Sequence, residues 1–164
     1  MTGHAAQTAL PFLDVALRLL MAFVCGAAIG LNREFHRKPA GFRTFALVSL
    51  GSAIVVIVME SSGGPDSVSR VIQGILTGIG FLGAGVIFRR ESPNKVSGLT
   101  TAAAVWLTAG LGVAAGMGQY AIALTGTVIS LTLLLFGGPF ERLITGNRKN
   151  KNEPEPGNGG DDAP

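Results

Sequence analysis

The stretch PFLDVALRLLMAFVCGAAIGL, residues 11–31, decides the fold class. A helix needs about 20 mostly apolar residues to cross the hydrocarbon core of a bilayer, and this run supplies them with only Asp14 and Arg18 interrupting. Working outward from it, four more windows qualify: Phe42 to Met59, Val71 to Phe88, Leu99 to Gly116 and Tyr120 to Phe136. The last two are separated only by Met117, Gly118 and Gln119, room for no more than a tight turn, so they are expected to form an antiparallel helical hairpin. The expected fold is all-α, a polytopic transmembrane helical bundle of about five spans within residues 11–140. Residues 1–10 form a short segment before it. Residues 141–164 read as a disordered tail, because from Gly146 onward the text changes to Asn, Lys, Glu, Pro, Gly and Asp and cannot bury enough apolar surface to offset ordering entropy.

Composition agrees with the windows. Of 164 residues, 48% are hydrophobic and only 14% charged, against roughly 25% charged in an ordinary soluble domain. The lone Cys25 excludes a disulfide framework and any multi-cysteine metal cluster, and its apolar surroundings mark it as a small packing residue. The first 20 residues lack a basic leader and place Asp14 and Arg18 in the apolar stretch, so no cleaved signal peptide is expected.

The basic residues orient the spans, because Lys and Arg near membrane segments are retained on the cytoplasmic side. Five spans put Arg33, Arg37, Lys38, Arg43, Arg89, Arg90, Lys95, Arg142, Arg148, Lys149 and Lys151 on one side and only Arg18 and Arg70 on the other, 11 of the 13 basic residues against 2. The N-terminus is therefore expected outside and the C-terminus inside. The basic clusters are read first as topology determinants, with lipid head-group or nucleic-acid contact as the lesser reading; no nucleic-acid partner is assigned.

Glycine usage bears on packing. Apolar burial does not drive helices together in lipid, so association relies on close backbone approach through small residues. Ala22, Gly26 and Gly30 recur at four-residue spacing, as do Gly74 and Gly78, and Gly112 and Gly116. The third span also holds Gly80, Gly83 and Gly85. A glycine costs about 1 kcal/mol relative to alanine in a helix interior, so this density implies very close contacts there or a locally broken helix beside a polar cavity. Trp106, near the middle of the fourth span, is expected to fill space against those glycines.

No catalytic constellation emerges. Gly78, Gly80 and Gly83 satisfy GxGxxG, but that fingerprint requires a preceding strand and a soluble βαβ unit, whereas Val71 to Thr77 belong to an apolar span. HExxH, GxSxG, GxxxxGK and CxxC are absent. The chain is not expected to be an enzyme, to carry a cofactor or to hold a resident metal. Ionisable residues at the span edges are more informative, since charge in or near hydrocarbon is costly and often functional. Asp14 and Arg18 stand at i, i+4 and are expected to pair; Asp66 and Arg70 repeat the spacing. Arg33, Glu34 and Arg43 flank a short loop whose Pro39, Ala40 and Gly41 suit a tight turn. These residues either neutralise one another and fix helix ends or form a polar pathway or docking site.

The runs RVIQGILTGIGFLGAGVI (70–87), GLTTAAAVW (98–106), GAAIGLNRE (26–34) and KPAGFRTFALVSLG (38–51) resemble the MgtC/SapB family of bacterial inner-membrane proteins. The resemblance runs in unbroken order from about Arg18 to Tyr120 and implies multi-span inner-membrane proteins needed for growth at low magnesium and, in pathogens, for survival inside macrophages. Some members act as modulators of other membrane machines. Many relatives continue into a soluble C-terminal domain where this chain has a short polar tail. The positions that match the family motifs are Arg18, Gly26, Gly30, Arg33, Glu34, Gly41, Arg43, Thr44, Arg70, Gln73, Gly78, Gly80, Gly83, Gly85, Gly98, Thr100 and Thr101. As an ion transporter the chain would need oxygen ligands for Mg²⁺. It offers few: Asp14, Glu60 and Asp66 on the outer side, Glu34 and Glu91 on the inner, so a filter would require a ring of acids in an oligomer. As a regulator it would need a glycine-lined face for a partner helix or a second copy, which the sequence supplies abundantly. The regulator reading is favoured and Arg43 and Glu34 are its expected inner-face residues.

The orientation is directly testable. A membrane-impermeant thiol reagent applied to intact cells should modify a cysteine placed at Ser62 and spare one placed at Lys95; the reverse pattern would invert the topology.

Overall fold

The computed structural model describes residues 11–87 and 98–149, with side chains given for all of these except Pro65 and residues 139–149. Five α-helices follow in order: α1 (Phe12–Phe35), α2 (Phe42–Ser62), α3 (Pro65–Ile87), α4 (Leu99–Gly116) and α5 (Tyr120–Lys149). All five contain stretches long and apolar enough to cross a membrane, and no strand occurs among the described residues. The expected all-α bundle of five spans is thus the observed one. Arg89, Arg90, Glu91 and Lys95, together with residues 1–10 and 150–164, lie outside the described residues.

Helix ends follow local chemistry. Pro11 precedes α1 with φ −55°, and its carbonyl accepts from the N–H groups of Asp14 and Val15 at 2.9 and 3.2 Å. Asp14 also places an acid in the first turn, where the helix dipole favours one. The helix closes in a Schellman turn: the Arg37 N–H donates to Glu34 O at 2.9 Å and the Lys38 N–H to Arg33 O at 3.0 Å. Arg37 sits at φ 51°, a left-handed position where glycine is usual. The same motif ends α4, with Gly118 at φ 70° and N–H bonds from Gly118 to Ala115 O and from Gln119 to Ala114 O at 3.0 and 2.9 Å. This is the tight turn expected between the fourth and fifth spans.

Four helices outrun their hydropathy windows, α3 and α5 by the most. α3 begins at Pro65, since proline suits a first helical position, where its missing N–H would be unpaired anyway. α5 continues to Lys149, so residues 141–149, assigned from sequence to a disordered tail, are helical. The physical reason lies in the pattern: Phe136, Phe140, Leu143 and Ile144 recur at helical spacing although the average text is polar. The packed helices form one unit ending at Leu131; from Thr132 the remainder of α5 belongs to a second unit.

Within the first unit, three backbones approach closely. A Cβ added at Gly26 of α1 would lie 2.6 Å from Phe45 O and 2.8 Å from Ser49 Cβ; one at Gly30 would lie 2.7 Å from Phe42 Cα. From the other side, a Cβ at Gly112 of α4 would collide with the Ser49 carbonyl oxygen and stand 2.8 Å from Ser49 Cα, and at Gly116 would meet Ala53 Cα at 2.9 Å. α2 is therefore clasped between two small-xxx-small faces. Around the crossing the core is built of small side chains, Ala22, Cys25, Ala53, Ala115 and Ala123, which permits the short interhelical distance that dispersion contacts require. Cys25 is buried there, with its Sγ 3.8 Å from Ala123 O.

The third span departs from the sequence expectation. α3 is an unbroken helix, and a Cβ added at Gly74, Gly78, Gly80 or Gly85 meets nothing within 4 Å; only Gly83 has a neighbour, Ala102 Cβ at 3.6 Å. Its glycines therefore do not hold the bundle together, and Trp106, about half exposed, does not fill against them. Spacing announces that a face is small, and in lipid no hydropathy contrast reveals which small face is covered.

Gly112→Leu is expected to destabilise the protein by about 3 kcal/mol or more, because backbone must move to admit the side chain. Gly78→Leu should be neutral or stabilising, since the site is open and leucine is the better helix former by roughly 0.8 kcal/mol or less. Thermal unfolding of both purified variants, with membrane abundance, checks the contrast; equal loss in both would remove the distinction between the two faces.

Candidate functional site

The polar residues fall into two constellations at opposite ends of the first unit and one exposed helix face. At the end where α1 begins, the Arg18 side chain, only 11% exposed, gathers partners from three helices. Its Nη1 donates to Gly116 O of α4 at 2.9 Å and to the Glu60 carboxylate of α2. Its Nε lies 2.8 Å from Asp14 Oδ2, as the i, i+4 spacing predicts, but off the N–H direction, so this contact is a charge pair rather than a hydrogen bond. The guanidinium packs over Gly118, where an added Cβ would stand 3.5 Å from it. One cation thus serves two carboxylates and the negative end of the α4 dipole. Pairing of this kind gains little over an apolar contact, yet removing one partner leaves a poorly hydrated charge. Sequence reading paired Arg18 with Asp14 and named Glu60 only as an outer acid. The missing signal was available in the topology, since antiparallel spans bring the start of α1 beside the end of α2.

At the other end, Glu34 and Gly41 work as a unit. The Glu34 Oε2 atom accepts from the Phe42 N–H at 2.8 Å, capping α2, whose N-cap Gly41 has no side chain to do so. A Cβ at Gly41 would lie 2.8 Å from that same oxygen, so a side chain there would displace the capping carboxylate. Arg33 points into the protein instead of into the loop. It is 4% exposed, and its Nη2 donates to Thr101 Oγ1 of α4 at 2.8 Å, while its Nε is buried without a hydrogen-bond partner. Gly98, the N-cap of α4, has φ 100°, lies against Val86 O and makes no side-chain cap itself. Arg43 and Thr44 in α2 and Thr100 in α4 are exposed.

The third constellation is the outer face of α3. Asp66, Arg70, Gln73, Gly74, Thr77, Gly78, Phe81 and Gly85 are all exposed and fall on one side of the helix. Asp66 and Arg70 do not form the ion pair their spacing suggests; Arg70 Nε instead donates to the Asp66 backbone carbonyl at 3.3 Å. A groove of about 560 Å³ between α2 and α3, lined by Val55, Met59, Ser67, Arg70, Gly74 and Ile75 among others, borders this face. Gly78, Gly80 and Gly83 are helical, with no strand before them, so the dinucleotide fingerprint has no structural support here. Among the described residues no three His, Cys, Asp or Glu side chains are grouped to hold a metal ion.

Comparison with known proteins places these features in a family. The MgtC family model matches residues 19–143. SrpB of Synechococcus elongatus is 46% identical over 144 residues, covering 80% of this chain and 78% of SrpB. MgtC of Salmonella typhimurium is 50% identical over 115 residues, 70% of this chain but 48% of that protein, so the chain spans about half the length of MgtC. YhiD of Escherichia coli, described as a candidate magnesium transporter, is 38% identical over 130 residues, 74% of this chain and 59% of YhiD. No solved structure matches.

Proposed function

Because the chain belongs to the MgtC family, we propose that it is a bacterial inner-membrane protein that supports adaptation to scarce magnesium, and survival within a host where magnesium is withheld, as an accessory of other membrane machinery. Its N-terminal end faces outward and its C-terminal end the cytoplasm, by the distribution of basic residues. It acts by docking a transmembrane partner helix, from another protein or a second copy, on α3.

The observation that carries this reading is the uncovered α3 face. The exposed face of α1 suits lipid, turning Leu13, Leu17, Leu20, Phe23 and Val24 outward. α3 turns out Gln73, Gly74, Thr77 and Gly78 instead. Polar side chains and bare backbone gain little from acyl chains but suit a closely approaching helix, which can accept hydrogen bonds and dispersion contacts. Ion transport, favoured by the description of YhiD, needs free oxygen ligands. Here Asp14 and Glu60 are engaged by Arg18, and Glu34 caps α2, leaving Asp66 as the acid of the described spans whose carboxylate is not engaged. Glu34 is thereby a poor probe of function, since its loss uncaps a helix.

Deleting the protein should slow growth at micromolar magnesium and leave growth at millimolar magnesium nearly unchanged. A Gly78→Leu, Gly85→Leu double variant should reach normal membrane abundance yet fail to rescue the deletion. Full rescue would refute the docking face. Magnesium flux into liposomes holding the purified protein, above empty vesicles and lost in Asp66→Asn, would select transport instead.

A further inference from the structure

We propose that Arg33 and the start of α4 form a binding site for a phosphate group at the inner end of the bundle. Arg33 is 4% exposed, and among the described residues the only ion pairs are those of Arg18. Glu34, its neighbour, is turned to the Phe42 N–H. Arg33 makes one hydrogen bond, to the neutral hydroxyl of Thr101, and its Nε has no partner. A guanidinium withdrawn from water without a counter-charge is strongly disfavoured, and such groups are ordinarily paired.

Among the described residues the surroundings supply mainly donors and positive potential, with the Val86 carbonyl beside Gly98 and the Thr101 hydroxyl as acceptors. Thr101 lies in the first turn of α4, which is 18 residues long and whose N-cap Gly98 makes no side-chain cap. The first N–H groups of such a helix are unsatisfied within it and carry the positive end of its dipole. Arg33, aimed at that turn through Thr101, adds a fixed fork of N–H donors matched to a tetrahedral oxyanion. Backbone N–H groups at a helix start and a guanidinium are the combination that phosphate recognition uses elsewhere. Leu99 and Thr100 of this turn are exposed, whereas Thr101 and Arg33 are buried behind them. Arg37, Lys38 and Arg43, all exposed near the same end, raise the local potential for an approaching anion.

Two sources carry the same chemistry: the phosphate of a lipid headgroup and free phosphate from the cytoplasm. Arg33 stands two residues from the end of α1, where a helix of spanning length reaches the headgroup region. The inference is independent of what docks on α3.

The full chain in maltoside micelles, which contain no phosphate, tests the site by thermal unfolding. One arm adds inorganic phosphate against sodium chloride at equal ionic strength; the other adds a short-chain phosphatidylglycerol against the matching diacylglycerol. The unfolding midpoint should rise with phosphate concentration in one arm or both, and the arm that responds identifies the source. Arg33→Gln should abolish the rise. Thr101→Val and Arg33→Lys, which preserve volume or charge, should weaken apparent affinity about tenfold, the scale of one charge-assisted hydrogen bond. No rise in either arm for the wild type, or an equal rise in wild type and Arg33→Gln, would overturn the proposal.

Discussion

Ser49 stands where the backbones of three helices meet, and the rest of the bundle depends on that crossing. From α1, Gly26 leaves no room for a Cβ against Phe45 O and Ser49 Cβ; from α4, Gly112 leaves none against the carbonyl and Cα of the same serine. The constraint is one of size. A single methyl on either glycine would overlap main-chain atoms, which cannot swing aside as the end of a flexible side chain can. Because water contributes no apolar drive between helices in lipid, this close approach supplies the association. The alanine and cysteine core around it follows from the same need for short distances.

The charged groups lock what the crossing brings together. Arg18 links the starts and ends of α1, α2 and α4, and Glu34 fixes the first turn of α2. Both belong to closed arrangements in which the charge has its counterpart. Arg33 and the α3 face do not. One is a buried cation with a single neutral partner, the other a membrane face on which polar and small residues flank Phe81 and whose Gly74, Gly78 and Gly85 have nothing against them. These unfinished interactions are where a ligand or partner adds most, and they separate scaffold from candidate function within one small bundle.

Much of this architecture was legible in the text of the chain. Five spans, the hairpin turn at Met117–Gln119, the Asp14–Arg18 pair and the glycine faces of α1 and α4 all follow from hydropathy, spacing and turn chemistry. The third span shows where such reading stops. Gly74 and Gly78 carry the same four-residue spacing as Gly112 and Gly116, but the former stand in open space. Spacing identifies a face and is silent on what covers it. Likewise Asp66 and Arg70 share the i, i+4 spacing of Asp14 and Arg18 without pairing, because exposure leaves water free to compete. Glu34 as a cap was hidden by its distance in sequence from Phe42, although a glycine N-cap without a side chain was a signal that another residue must serve. The helical stretch beyond Phe136 was masked by average polarity, which conceals a period when apolar residues are sparse.

A size series at Ser49 tests the central claim most directly. Its hydroxyl is buried and has no hydrogen-bond partner, so Ser49→Ala should leave stability unchanged or slightly raised. Ser49→Val and Ser49→Leu should lower it progressively, by about 3 kcal/mol or more for leucine, because the added carbons enter the three-helix crossing. Unfolding midpoints of the purified proteins in lipid, ordered by side-chain volume, are the measurement. A leucine variant as stable as the wild type would show that the backbones do not meet at Ser49, and the account of the bundle built on that contact would be wrong.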